Sequence, residues 1–386
     1  MQFDEQGREL VSQYRLRILG TRGIPASHGG FETFAEQLAL FLTEKGWSVT
    51  VYCQEEGRGV PYDDRWRGIR RVHFPTAIPG AAGTIVFDWK STLHAQREPG
   101  LILTLGYNTA GFGALYRLKG HTHIINMDGI EWRRQKWGWA AKAWFWINHW
   151  AGCRTASHLI ADHPEIQRHL EQWVAAEKVT MIPYGSKTLH SADPSLLAQY
   201  GLAPNGYATI IARPEPENSI LEMVRAWSRE PRGLKLLVLG RYRPENGYHR
   251  AVLESASEEV LFPGAIYEPA LLEALRFHAA FHMHGHQVGG TNPSLVEAMG
   301  AGNAVLARDN PYNRWVAGEG GVYFRDEREC ADLIARLLSD ESLVDSLRTA
   351  CRNRHSRLFQ LHDILLQYEK FLSAAADQAF RAVAEQ

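Results

Sequence analysis

Glu297 stands in GTNPSLVEAMGAGN, residues 290–303, among small residues at what reads as the first turn of a helix. Pro293 can open that helix, because the N–H it lacks is one that the first turn leaves without a helical partner. The N–H groups near Gly290, Thr291 and Asn292 would then face an anion such as a diphosphate. Glu297, about one turn further in, could accept two hydroxyls of a ribose, as carboxylates do in dinucleotide sites. Ala298, Gly300, Ala301 and Gly302 would let a ligand or neighbouring backbone come close. Taken alone, the segment fits an ordinary strand, turn and helix with one exposed glutamate better than a ligand site.

Other residues of the right chemistry fall where strands should end. Arg213 follows ATIIA in ARPEPEN, where a guanidinium could fork onto phosphate oxygens or form a plain surface ion pair. His284 and His286 flank Gly285 after AAFHM; they could bond sugar or phosphate, with His286 able to give a proton, or be polar loop residues. In GTRGIPASHGGFETF, residues 20–34, Gly20, Gly23, Gly29 and Gly30 permit a tight loop whose N–H groups lead into a helix. That is a phosphate cradle without a Walker lysine, or a turn shaped by glycine. The GxGxxG pattern is missing, which argues against a nicotinamide-dependent oxidoreductase. No Asp-x-Asp pair occurs, and Cys53, Cys153, Cys330 and Cys351 show no ligand spacing, so no metal and no other cofactor is expected.

The elements that must hold these residues alternate. LRILG, SVTVYC, LILTLG, IINMDG, HLIADH and VTMIP read as strands of a first series, with the helix FETFAEQLALFLTEKG between the first two. Phe31, Phe34, Leu38, Phe41 and Leu42 repeat at helical steps there, and Gly46 closes the helix. A Pro, Gly and Ser cluster at 191–207 precedes a second series: YATIIAR, KLLVLG, VLFPG, AAFHMHG, AVLARD and GVYF. With 386 residues and 45% hydrophobic content, the economical fold is α/β with two Rossmann-like domains. The domains expected are 1–190, 191–360, and a C-terminal helix, 361–386, with Leu361, Ile364, Leu365, Tyr368 and Leu372 on one face. Ligands of open parallel sheets bind beyond the carboxyl ends of strands, so two facing halves imply a cleft between them.

A formal charge of -1 gives no bulk attraction to nucleic acid, and none is expected as a partner. The polar first fifteen residues and the lack of any apolar run of eighteen exclude a signal or a spanning helix, so a cytoplasmic protein is expected. One stretch complicates this. EWRRQKWGWAAKAWFWINHW, residues 131–150, sets Trp132, Trp137, Trp139, Trp144, Trp146 and Trp150 among Arg133, Arg134, Lys136 and Lys142. It is either an aromatic helix packed in the core or a surface for lipid headgroups or a lipid-diphosphate acceptor.

The glycine loop, ARPEPEN, VLG at 238–240, FPG at 262–264, PSLVEAMGAGNAV and the late QYEKFL helix together resemble the retaining glycosyltransferases of family 4. GTRGIP with GGFETF, NMDGIEW and HGHQVGGTNPSLVEAMGAGN resemble a branch that includes bacterial rhamnosyltransferases. The resemblance implies a GT-B fold with its C-terminal helix crossing back to the N-terminal domain. It implies acceptor binding in 1–190, donor binding in 191–360, and transfer from a dTDP- or UDP-type sugar donor to a lipid-linked saccharide, at most peripheral to the inner membrane face. Arg213 would then stabilise charge on the leaving diphosphate, Asp128 in DGIEW would contact donor sugar or acceptor, and residues near Pro263 to Ile266 would meet the base. Asp128 in an Asp-Gly pair also suits a plain turn. Such enzymes usually carry two glutamates with seven residues between them and a lysine five residues after the phosphate arginine. Here the first glutamate is Gly289 and the lysine is Asn218, which takes its place in the donor site. A binding protein without catalysis, and a UDP- or GDP-hexose enzyme, are the alternatives.

Overall fold

The structure is a computed structural model that describes residues 14–26 and 29–384. Most of the polar N-terminal stretch, and Ser27 and His28 of the glycine loop, lie outside the described residues. The chain forms two units. One holds the chain up to Arg133, then Trp137–Ile182 and everything from Leu365; the other holds Arg134–Lys136 and Pro183–Ile364.

In the first unit β1 (Arg15–Leu19), β2 (Ser48–Glu56), β3 (Tyr62–Trp66), β4 (Ile69–Thr76), β5 (Leu101–Leu105), β6 (His123–Asn126), β7 (His158–Ala161) and β8 (Val179–Met181) make one sheet. Its order is β3-β4-β2-β1-β5-β6-β7-β8. Every pairing is parallel except β3 with β4. That hairpin turns through Arg67 and Gly68, both at positive φ (49° and 86°), the backbone a two-residue hairpin needs. The helix Gly29–Glu44 buries Phe34, Ala35, Leu38, Ala39, Phe41 and Leu42 and ends before Gly46 at φ 84°. Arg17, buried on β1, donates to the carbonyls of Ala95, Glu98 and Gly100, so its charge meets the carbonyl end of the helix Gly80–Ala95.

The C-terminal helix Leu361–Ala384 belongs to this unit from Leu365 onward. It buries Leu365, Tyr368, Leu372, Ala375 and Ala376. Tyr368 packs its ring 4.8 Å from that of Phe34 and accepts a hydrogen bond from Asn126 Nδ2 at 3.0 Å. Tyr14 donates to Asp377 at 2.9 Å.

The second unit's sheet has β9 (Tyr207–Ile211), β10 (Lys235–Leu239), β11 (Val260–Gly264), β12 (Phe281–His284), β13 (Ala304–Arg308) and β14 (Gly321–Phe324), in the order β11-β10-β9-β12-β13-β14, all parallel. Trp227, Phe281, Phe324, Leu236, Val238 and Ile334 share its main core. Strand order runs outward from β9 through β10 to β11, and from β12 through β13 to β14 in the opposite direction. Between β9 and β12 the connections diverge and leave a crevice at the strand ends, the place where open α/β sheets take ligands. In the first sheet that point lies between β1 and β5.

Candidate functional site

The switch point of the second sheet gathers most of the residues singled out in the sequence. Arg213 follows β9 and is exposed, while His284 ends β12 and is buried. The short turn Pro216–Asn218 packs onto the loop after β12 so closely that a Cβ on Gly285 would lie 2.2 Å from the Asn218 carbonyl oxygen, so only glycine fits. Asn218 donates its amide to the Arg213 carbonyl at 2.8 Å, and Gln287 N–H donates to the Glu217 carbonyl at 2.9 Å. Ser219, next in the chain, sits at φ 49°, a conformation that costs a non-glycine residue about 1 kcal/mol or more.

Glu217 was not foreseen. Its carboxylate is 9% exposed, and Oε1 lies 3.6 Å from Arg134 Nε and 3.7 Å from Lys136 Nζ. Two cations thus share one carboxylate, with the exposed Arg213 joined through Asn218 to the same turn. Arg134 and Lys136, read from the sequence as basic companions of the tryptophans, belong to this cluster instead. Only the charge pattern RRQK hinted at them; nothing in the spacing tied them to Glu217.

His284 and His286 stack face to face, centroids 4.2 Å apart and planes 11° from parallel. Burial pushes His284 down to about 3. Burial, His284 and the guanidiniums of Arg134 and Arg213 hold His286 well below the usual range for histidine. Both shifts favour the neutral ring, a form that suits hydrogen bonding to sugar or phosphate. Among the described residues, His284 Nε2 and His286 Nδ1 are buried without a partner. No three His, Cys, Asp or Glu side chains of the described residues converge as a metal ion requires.

Beyond β12, Gly290 and Thr291 are buried and lead to the helix Pro293–Gly300. Asn292 caps it, accepting from Ser294 N at 3.1 Å, and Ser294 Oγ donates to the Ile211 carbonyl at 2.8 Å, which ties the helix start to the end of β9. Glu297 lies one turn inside and is half-buried. Its Oε2 is 2.5 Å from Arg276 Nη2, a partner the sequence gave no sign of. The pair fixes one carboxylate oxygen and orients the other. Gly289 has φ 136°, so the residue missing from the glutamate pair of the resemblance is replaced by backbone that a side chain rarely adopts.

In the first unit the candidates lie on two different strand ends. Gly29 and Gly30 open the helix after β1 and are exposed. The preceding loop spends part of its donor capacity on that helix: Arg22 N–H donates to Glu32 at 3.0 Å and Ala26 N–H to Glu36 at 2.6 Å. Gly20 is required for packing, since a Cβ there would meet the Leu105 carbonyl oxygen at 2.2 Å. Asp128, half-buried after β6, contributes with Asp162 to raising the Tyr368 hydroxyl, whose first cause is burial. β5 separates these two places.

Residues 13–187 match a family model described as "Domain of unknown function (DUF1972)". No curated protein sequence matches the chain. Among solved structures, the sucrose-phosphate synthase of Thermosynechococcus elongatus aligns at TM-score 0.79 and 20% identity, over 96% of this chain and 100% of that one. HepE of Anabaena, solved in complex with UDP, aligns at 0.72 and 17%, over 94% and 100%. The UDP-forming α,α-trehalose-phosphate synthase of Burkholderia vietnamiensis aligns at 0.70 and 12%, over 93% and 100%. At these identities the likeness establishes the fold: two parallel-sheet bodies of the GT-B class.

Proposed function

We propose that this chain is a retaining glycosyltransferase that moves a sugar from a nucleoside diphosphate to a hydroxyl of a lipid-linked saccharide in the cytoplasm. The observation that carries the reading is the cation cluster at the switch point of the second sheet, where Glu217 holds Arg134 and Lys136. The donor's diphosphate leaves with growing negative charge while the sugar becomes oxocarbenium-like, and fixed positive groups stabilise that charge best. Arg213 supplies a fork of N–H donors, and Arg134 and Lys136 provide the charge that the resemblance expects of a lysine at position 218. The start of Pro293–Gly300 with Gly290, Thr291 and Asn292 adds backbone dipoles. Glu297, steadied by Arg276, takes the ribose hydroxyls. In the N-terminal half, 1–190, which takes the acceptor, the helix start at Gly29 and Gly30 offers N–H groups to phosphate, and Asp128 meets the donor sugar or the acceptor. No carboxylate is assigned as nucleophile: in a front-face route the leaving phosphate itself accepts the acceptor's proton. No metal takes part.

The sequence branch favours dTDP-rhamnose as donor. HepE, solved with UDP and with UDP-glucose, makes a UDP-sugar the second reading. Thermal unfolding with dTDP, UDP, GDP, ADP and NAD, with and without magnesium, separates them. A rise of several degrees with dTDP or UDP alone, indifferent to magnesium, is expected. No shift with any nucleotide would sink the transferase and leave a partner protein without catalysis.

A further inference from the structure

The helix Trp139–Thr155 is turned inside out. It buries Asn148, His149, Ala151, Gly152 and Cys153, and presents Trp139, Trp146, Ile147 and Trp150 outward at 86%, 44%, 53% and 42% exposure. With 3.6 residues per turn these four fall on a single arc with Ala143 and Arg154. The orientation is fixed by a polar contact on the inner side: Asn148 accepts from Gly111 N–H at 3.0 Å. Largest apolar groups outside and amide and imidazole inside is the reverse of a helix whose only task is to cover a core.

Charge follows the same face. The helix carries Lys142 and Arg154 and no acid. The Arg154 guanidinium lies over the Trp150 ring at 5.0 Å. Arg117 donates to the Arg154 carbonyl at 3.0 Å, which brings Leu118, 82% exposed, and Lys119 beside the arc. Trp173 extends it, 6.4 Å from Trp146 edge to face.

We propose that this face docks on an anionic lipid surface. Indoles settle at headgroup depth, with an apolar body toward the acyl chains and a polar edge toward water. Lysines and arginines around them meet acidic headgroups. A second copy of the chain is a poorer occupant, because a two-fold interface would set Lys142 and Arg154 against their own kind. The inference deepens the lipid-linked acceptor of the reading above, but its test does not touch activity, so either can fail alone.

The test is co-sedimentation of the full chain with vesicles of phosphatidylcholine alone and of phosphatidylcholine with phosphatidylglycerol, at low and high salt. Binding to the anionic vesicles alone is expected, weakened by salt. Trp139→Ala with Trp150→Ala should reduce it about tenfold, and Lys142→Glu with Arg154→Glu at least as much. Trp139 is exposed enough that its loss leaves the fold intact, which an unchanged unfolding midpoint checks. Equal binding to both vesicle types, none to either, or variants that bind like the parent would overturn the proposal. So would a dimer by light scattering that the tryptophan variants dissociate.

Discussion

Around Glu217 a nearly buried carboxylate balances two cations, and removing either partner has a direction that can be stated. Lys136→Ala or Arg134→Ala leaves that carboxylate short of positive charge beside the proposed diphosphate site. UDP or dTDP affinity, read by calorimetric titration, should weaken roughly 10- to 100-fold. Adding Glu217→Gln to Lys136→Ala should restore stability without restoring affinity; full rescue of binding would remove these cations from the site. Glu297 obeys a related logic through Arg276, whose side chain is 11% exposed. Glu297→Ala should lower nucleotide affinity and also cost about 1–3 kcal/mol in urea denaturation, because Arg276 loses its partner. Among the described residues the exposed Arg213 side chain has no ion-pair partner to strand, so Arg213→Ala should lower kcat with the unfolding midpoint unchanged. At this scale the sequence revealed residues whose chemistry is local. Glu297 and Arg213 stand in motifs, and a motif is a contiguous string. Glu217 with Lys136, and Arg276 with Glu297, are pairs made by the fold between distant segments, so no spacing announced them.

At the scale of elements, strands buried on both faces were legible because each is a short apolar run bounded by glycine or polar residues. β1, β9, β12 and their neighbours all lie where those runs lie. β3 was not legible: YDDRW is an edge strand, polar and exposed, and its turn uses Arg67 where asparagine or aspartate usually signals a hairpin. The tryptophan helix was legible as a helix but not as to its outward face, because tryptophan and alanine occur all around it. Its inner side carries a further consequence. His149 lies against Tyr107, His169 and Trp173, and among the described residues neither of its ring nitrogens has a partner. Burial, then His169 and Arg133, pushes it down to about 4 from an ordinary 6.5. A histidine depressed in the folded state contributes stability that is present above about 6.5 and lost as pH falls toward 4. Thermal melts from pH 7 to 5 should show this loss, and His149→Leu should raise the midpoint at pH 7 and flatten the fall. A variant that melts lower at both pH values would show that the ring's packing matters more than its nitrogens.

For the whole molecule, two bodies built on parallel sheets were readable from alternation, while the brief passage of 134–136 into the second unit was not. Tyr368 is where the last helix engages the first sheet, through Phe34 and Asn126. Tyr368→Phe should cost about 1 kcal/mol by loss of the Asn126 hydrogen bond. Tyr368→Ala should cost about 3–5 kcal/mol by loss of a buried ring, and should appear as an earlier, separate transition in denaturant. A single unshifted transition would mean that the helix contributes little to the first unit.

That helix also sets an order of events during synthesis. The first unit's sheet leaves the ribosome early, yet Leu365, Tyr368 and Leu372, which cover it, are translated only after the entire second unit. Domains usually finish folding in the order they are made. Here the nascent first unit must wait with an apolar surface uncovered, so a chaperone that guards such surfaces has most to do during the translation of residues 183–364, and a ribosome stalled in that interval holds a chain that cannot close its own beginning.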